Sequence, residues 1–157
     1  MTKPQVSNAQ KPKKPIQKEA NITARSEKIT VLLKGKATKL SPKAEGHIGF
    51  QIIKDSQGGV AIQLTDNTSG GIFSKNPIPL KQIVTLLGKQ TPEKPFKSSL
   101  VKDVFSGKGS KSANNTSFLI AVLRSKELEL ISPSDKSQFL SVLSPEFKAQ
   151  SKKLLSL

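Results

Sequence analysis

The sequence predicts an α+β fold: a curved antiparallel β-sheet with helices, preceded by a disordered basic arm. Segments in which apolar and polar residues alternate are joined by short turns rich in Gly, Asn and Asp, as in antiparallel hairpins. Other segments carry apolar residues at helical spacing and follow a proline, which is typical of a helix start. We expect an arm at residues 1–27 and a single β-rich domain at residues 28–157.

The arm lacks the apolar side chains that a folded segment needs. It holds three prolines and many Lys, Gln and Asn residues, and it cannot bury enough surface to offset the entropy lost on ordering. Prolines interleaved with Lys11, Lys13 and Lys14 keep the segment extended. We predict that these lysines lie along phosphate groups. A solvated tail, or a transient contact for another protein, is the alternative.

The first strand is predicted over residues 29–39, which begin with an apolar run. In its second half the alternation places Lys34 and Lys36 on one face and Gly35 on the other, and Lys39 ends the segment. The strand therefore presents a row of lysines.

A hairpin is predicted next. Residues 47–54 and 60–65 alternate between apolar and polar side chains and flank a Gly-containing turn of five residues. Gln51 and Gln63 fall on the outward face of this hairpin, opposite the apolar residues. A further short strand is predicted at residues 72–74.

A helix is predicted over residues 80–87, where the apolar residues recur at positions i, i+3, i+4 and i+7. Pro77 and Pro79 precede it and Gly88 is a natural stop. The first half therefore has three or four strands followed by a helix.

The second half shows a similar order. Residues 96–106 fit either a strand or a helix, and residues 107–115 form a basic, Gly-containing loop. Strands are predicted at residues 118–124 and 128–131.

Two further helices are predicted near the C-terminus. The first opens at Ser132-Pro133 and carries Phe139, Leu140 and Leu143 as its apolar residues. The second spans residues 144–157, because Ser-Pro is a favourable helix start.

An internal repeat links the two halves. Residues 76–87 and 132–143 both read polar, Pro, four residues, Gln, two apolar residues, Thr or Ser, apolar, Leu. We interpret residues 28–90 and 96–143 as two copies of a strand-strand-strand-(strand)-helix unit.

The chain resembles a known group of proteins in these segments. GHIGFQIIKDSQGGVAIQL followed by GGIFSKNPIPLKQIVTLL, and later LELISPSDKSQFLSVL, are similar to the strand-turn-strand and closing strand-helix elements of the Whirly and PUR families. The coactivator called positive cofactor four has this plan in single copy. The resemblance covers about Ile29 to Leu143. It implies binding of single-stranded DNA or RNA across the sheet, often by an oligomer.

The net charge is +15, from 26 basic and 11 acidic residues. An excess of this size favours a polyanionic partner, with nucleic acid first and an anionic membrane surface second, and a purely solubilising surface is the alternative. Only Arg25 and Arg124 are arginines. Lysine is a mobile point charge rather than a bidentate base reader, so contacts with the phosphate backbone and little base readout are expected.

Several function classes are excluded or disfavoured. The chain has no Cys and only one His, His47, so thiolate zinc sites, cysteine nucleophiles and multi-histidine metal sites cannot be built. No enzyme activity, cofactor or metal is predicted. The longest apolar runs are too short for a membrane span, and no secretory signal is apparent. We expect an intracellular protein, cytoplasmic or associated with the nucleoid or nucleus.

The aromatic residues are expected to serve packing. The chain has no Tyr or Trp, and its seven phenylalanines, including Phe50, Phe118 and Phe139, are predicted to furnish the core. Binding would then rest on lysines, amides and hydroxyls more than on base stacking.

These observations predict a non-catalytic protein that binds nucleic acid, with a preference for single strands and little sequence specificity. A protein-interaction module is the alternative, for example an accessory subunit of a transfer, secretion or replication assembly that binds an acidic partner. A homo-oligomer is possible in either case. The predicted nucleic-acid contacts are Lys34, Lys36 and Lys39 on the first strand, Gln51 and Gln63 on the sheet face, Lys108 and Lys111 in the loop, and Lys11, Lys13 and Lys14 in the arm.

Overall fold

The computed structural model describes residues 29–157, so the predicted arm at residues 1–27 lies outside the described residues. The described part has the α+β class with antiparallel sheets that the sequence predicts. A four-stranded sheet has the order β1-β2-β3-β4, and a three-stranded sheet has the order β5-β7-β6. The strands are β1 (Thr30–Thr38), β2 (His47–Lys54), β3 (Val60–Asn67), β4 (Ile78–Pro79), β5 (Phe96–Lys97), β6 (Ile131–Pro133) and β7 (Leu140–Leu143). The helices are α1 (Leu80–Gly88), a 3₁₀ helix (Ser98–Val104), α2 (Asn114–Arg124) and α3 (Phe147–Leu155).

The first three strands form where the alternation predicts them. β2 and β3 turn Ile48, Phe50, Ile52, Ile62 and Leu64 into the core. β-Bulges interrupt the register in both strand pairs, at Val31/Leu33 and at Gly49/Phe50. Because each bulge bends its strand, the large sheet departs from a flat surface.

The helix after this sheet is also confirmed. Leu80, Ile83 and Leu87 are fully buried along one side of α1, as their spacing requires. The strand predicted at residues 72–74 is wrong, because this stretch is irregular. Its backbone bonds to side chains instead: Asn115 Oδ1 accepts a hydrogen bond from the Ser74 N–H at 2.8 Å, and Asn114 Nδ2 donates to the Ile72 carbonyl at 3.0 Å.

The strand predicted at residues 118–124 is a helix. α2 begins at Asn114 and is buried around most of its circumference from Phe118 to Leu123. A continuous apolar run does not distinguish a buried strand from a helix that is surrounded by protein, and here the run belongs to the central helix. Asn114 and Asn115, predicted as loop, form its first turn.

The last part of the predicted repeat also differs from the structure. The strand predicted at residues 128–131 is displaced to β6, and residues 125–128 are a turn. The helix predicted after Ser132-Pro133 is instead a turn followed by strand β7. Pro133 pairs with Ser141, so these residues close an antiparallel ladder.

The duplicated unit is therefore wrong. Residues 76–87 lead into a helix, whereas the matching residues 132–143 form two strands and their turn. The similarity in the sequence reflects short apolar periodicity that two different structures satisfy.

The remaining elements complete the core. Residues 96–106, which fit strand or helix, contain both, as β5 and the 3₁₀ helix. α3 begins shortly after Ser144, which accepts hydrogen bonds from the N–H groups of Glu146 (3.1 Å) and Phe147 (3.0 Å). The helix predicted over residues 144–157 is thus confirmed at Phe147–Leu155. One buried cluster joins the inner face of the large sheet to all three helices.

Candidate nucleic-acid interface

The candidate interface begins at strand β1, the edge strand of the large sheet. Among residues 29–157, β1 pairs only with β2. Lys34 and Lys36 are exposed, whereas Ala37 is buried, so the predicted row of lysines faces away from the core. The edge therefore offers solvated cations beside unpaired backbone groups.

Gly35 lets the core approach β1 closely. A Cβ atom at this position would lie 2.5 Å from Phe50 Cζ and 3.3 Å from Glu127 Cδ. The ring of Phe50 and the turn at residues 125–128 can therefore contact the inner side of the strand. This contact brings the C-terminal end of α2 beside β1.

A groove of about 700 Å³ runs between β1 and the end of α2, and we call it the β1–α2 groove. Its ionisable side chains are four cations and one carboxylate: Lys36, Lys39, Arg124, Lys126 and Glu127. The remaining lining residues are Ala37, Thr38, Leu40, Pro42, Ala121, Ser125, Pro133 and Gln138. The charge of the groove is therefore positive, and it lies along an open strand edge.

Arg124 is the fixed cation of this groove. Its Nη2 donates to the carbonyls of Gln138 (2.7 Å) and Leu140 (3.0 Å) and to Ser141 Oγ (2.9 Å). Its Nε also donates to Ser141 Oγ, at 3.3 Å. These acceptors are all neutral, and burial lowers the pKa of the guanidinium below its ordinary value without removing its charge at neutral pH. The positive charge of Arg124 is thus oriented by the β6–β7 turn and left uncompensated by it.

Lys39 connects the groove to the turn after β3, at the same end of the large sheet. Its ammonium donates to Ser69 Oγ in the turn after β3. Lys39 also lines a neighbouring cavity of about 290 Å³ together with Leu40, Phe118 and Phe139. The two cavities are therefore adjacent at Lys39 and Leu40.

Gln51 and Gln63 face outward as the sequence predicts, but they bind each other. Gln51 Nε2 donates to Gln63 Oε1 at 2.7 Å, and Gln63 Nε2 donates to the Lys75 carbonyl at 2.8 Å. The register places Lys34 directly beside Gln51 on this face. The amides stiffen the face, and each already uses an N–H group within the protein.

Lys108 and Lys111 lie in another region, the loop at residues 105–113 that precedes α2. Ser112 Oγ donates to the Ile72 carbonyl, and Asn115 Nδ2 donates to the Gly109 carbonyl at 2.8 Å. Lys111 lines a separate cavity of about 710 Å³ that also contains Lys102 and Asp103. The structure therefore does not bring these lysines into the β1–α2 groove, and the predicted contacts Lys11, Lys13 and Lys14 lie outside the described residues.

Three residues of this region are not among the contacts predicted from the sequence: Arg124, Lys126 and Phe139. A strand was wrongly predicted at residues 118–124, and nothing in that prediction placed Arg124 and Lys126 beside β1. The pair of cations flanking Ser125 is the signal that could have found them, since it closes a long apolar run. Phe139 was predicted to be core, but it is 53% exposed.

The described residues offer no metal centre and no membrane span. Within residues 29–157, no three His, Cys, Asp or Glu side chains cluster closely enough to hold a metal ion. No helix in the same range has the length and apolar character needed to cross a bilayer. Comparisons with family models, curated proteins and solved structures found no match.

Proposed function

We propose that this protein binds single-stranded DNA or RNA without catalysis and with little sequence specificity, using the β1–α2 groove and the lysines of β1. The observation that carries the proposal is Arg124, a charged side chain held by neutral acceptors in a groove with three lysines. An oriented cation whose hydrogen-bond acceptors are neutral, beside flexible cations, suits a phosphate chain, which needs several positive charges in a row. Homo-oligomer formation and intracellular location stay predictions.

The architecture of the first half supports this proposal. Residues 30–88 form four antiparallel strands followed by a helix, which is the single-copy order that the resemblance to the Whirly, PUR and positive cofactor four proteins implies. The helices pack on the inner face, and Lys34 and Lys36 of β1 are exposed on the other side of the strand.

Fluorescence titration of labelled single-stranded and duplex oligonucleotides at two salt concentrations tests the proposal. We expect tighter binding to the single strand and an affinity that falls steeply with salt, because each lysine-phosphate contact releases condensed counterions. Absence of binding to either form at low salt would overturn the proposal.

Neighbouring residues of opposite charge give a matched pair of variants in the same titration. Lys126→Gln removes a cation from the groove and should lower the affinity. The slope of log affinity against log salt should fall by the amount expected for about one phosphate contact. Glu127→Gln removes the carboxylate and should raise the affinity. Glu127 Oε1 is buried and has no hydrogen-bond partner among the described residues, so this change breaks no hydrogen bond of that oxygen. Effects of equal sign in the two variants would contradict a phosphate site in the groove.

A second candidate function is binding of an acidic protein segment along the free edge of β1. Val31 and Leu32 are 44% and 37% exposed on this strand, and Lys34 and Lys36 follow them. An edge strand with apolar and cationic side chains can accept an extended acidic peptide as an added strand. Hydrogen exchange distinguishes the two functions. An added strand should protect the β1 amides on the unpaired edge, whereas a nucleic acid held by side chains should leave these amides exchanging with solvent.

A further inference from the structure

Phe139 is an exposed aromatic ring on a fixed backbone. It is 53% exposed at the end of the turn between β6 and β7. Its own N–H donates to Ser137 Oγ at 3.1 Å. Arg124 holds the carbonyls on both sides of it, those of Gln138 and Leu140. The ring is thus presented to solvent by a turn that is tied to the central helix.

The position of Phe139 relates it to the cations of the groove. Gln138, its neighbour in the chain, lines the β1–α2 groove with Arg124. Phe139 itself lines the adjacent cavity with Lys39, which also belongs to the groove. The ring therefore lies where the positively charged β1–α2 groove meets the smaller, partly apolar cavity.

We propose that Phe139 is a stacking residue for an unpaired base whose neighbouring phosphates lie in the β1–α2 groove. This inference rests on the proposed function and adds a reason for the preference for single strands. In a duplex both faces of a base are covered by its neighbours, whereas an unpaired base can leave the strand and stack on a ring. The fixed turn lowers the entropic cost of that contact, because Phe139 is already held in place.

Fluorescence of Phe139→Trp tests the contact directly. The chain has no Trp and no Tyr, so the introduced indole is the sole strong emitter. We expect quenching when single-stranded oligothymidylate or oligouridylate is added, and little change with a duplex. Leu155→Trp is the control, since Leu155 is 41% exposed on α3 and lines neither cavity. Equal quenching in both variants would overturn the proposal.

Oligonucleotides without bases provide the second test. Wild-type protein should bind oligothymidylate roughly 5- to 150-fold more tightly than an abasic strand of the same length, which keeps every phosphate. Phe139→Ala should lose most of this difference and bind both strands with the affinity that the wild type has for the abasic one. Phe139→Ala should leave the thermal midpoint nearly unchanged, because the ring is largely exposed.

The possible outcomes separate this inference from the proposed function. If Phe139→Ala keeps the wild-type preference for bases while Lys126→Gln weakens binding, stacking is overturned and the groove stands. If the wild type binds no oligonucleotide at low salt, both are overturned. Quenching of Phe139→Trp together with loss of base preference in Phe139→Ala supports stacking.

Discussion

Gly35 determines how closely the core can approach the candidate interface. The ring of Phe50 occupies the space that a side chain at Gly35 would need, and Glu127 lies just beyond it. Gly88, at the end of α1, is different: a Cβ atom there would meet nothing within 4 Å. Packing therefore requires glycine at position 35, whereas position 88 has room for a side chain.

Gly35→Ala is expected to lower the free energy of unfolding by about 1–3 kcal/mol, because the new methyl group overpacks the core against Phe50. Gly88→Ala should leave it unchanged or raise it by up to about 1 kcal/mol, since Ala favours helix and finds free space. Urea denaturation of both variants measures the two changes. Equal stability of Gly35→Ala and wild type would show that the Phe50 ring can move aside.

Secondary-structure elements with an amphipathic pattern could be predicted from the sequence, whereas the helix that is apolar on most sides could not. β2, β3 and α1 are amphipathic, and their apolar period identified both the element and its buried face. β1 alternates only in its second half, and the apolar residues at its start, Val31 and Leu32, are exposed. α2 is apolar around most of its surface, so its period carried no such information and it was predicted to be a strand. Lys34 and Lys36 could be placed from their strand alone.

The residues that complete the site depend on contacts between distant segments. Arg124 finds its acceptors at Gln138, Leu140 and Ser141, which lie in the β6–β7 turn and at the start of β7. No local pattern encodes that pairing. The sequence from Ser132 to Leu143 has the apolar spacing of a helix that starts at Pro133. Only the pairing of β7 with β6 makes it a turn and a strand instead.

Asn115 is the polar anchor of α2. It is 1% exposed and bonds both to Ser74 N–H and to the Gly109 carbonyl. The two irregular segments around residues 71–76 and 105–113 are thereby attached to the same helical turn. Ser112 and Asn114 also bond to the Ile72 carbonyl, and Asn115 is the buried amide among these side chains.

Asn115→Ala should lower the free energy of unfolding by about 2–4 kcal/mol, because it leaves a buried N–H and a carbonyl without their partner. Asn114→Ala is the matched control. The hydrogen bond of Asn114 to Ile72 is exposed, so water can replace it and the loss should be below about 1 kcal/mol. Urea denaturation gives both values. Faster hydrogen exchange at the Ser74 amide in Asn115→Ala would locate the change, and similar losses in the two variants would contradict the anchoring role.

Over the whole molecule, the positive charge belongs mainly to the described domain. Residues 1–28 hold seven basic and two acidic side chains, and residues 29–157 hold nineteen and nine. About two thirds of the net charge is therefore carried by the described residues. We expect the groove to supply the binding site and the arm to add non-specific affinity.

Replacing Lys11, Lys13 and Lys14 together by Gln tests the contribution of the arm. If all three contact phosphates, the slope of log affinity against log salt for a single strand should fall by about 2. The control replaces Lys148, Lys152 and Lys153 on α3, which removes the same net charge and lies away from the groove lining. Salt titration of both variants measures the slopes. Equal changes would mean that overall charge, rather than contact by the arm, sets the salt dependence.

The lysines along β1 also affect how copies of the protein meet each other. β1 is a nine-residue edge strand with exposed Val31 and Leu32, and such an edge can pair with the edge of a second molecule. Repulsion between the Lys34 and Lys36 side chains of two copies opposes that pairing while the protein is free. A polyanion bound as proposed would neutralise these lysines and remove the repulsion. We therefore expect the protein to aggregate most readily when the charges of protein and polyanion are nearly equal. An excess of either the protein or the polyanion should keep the particles apart.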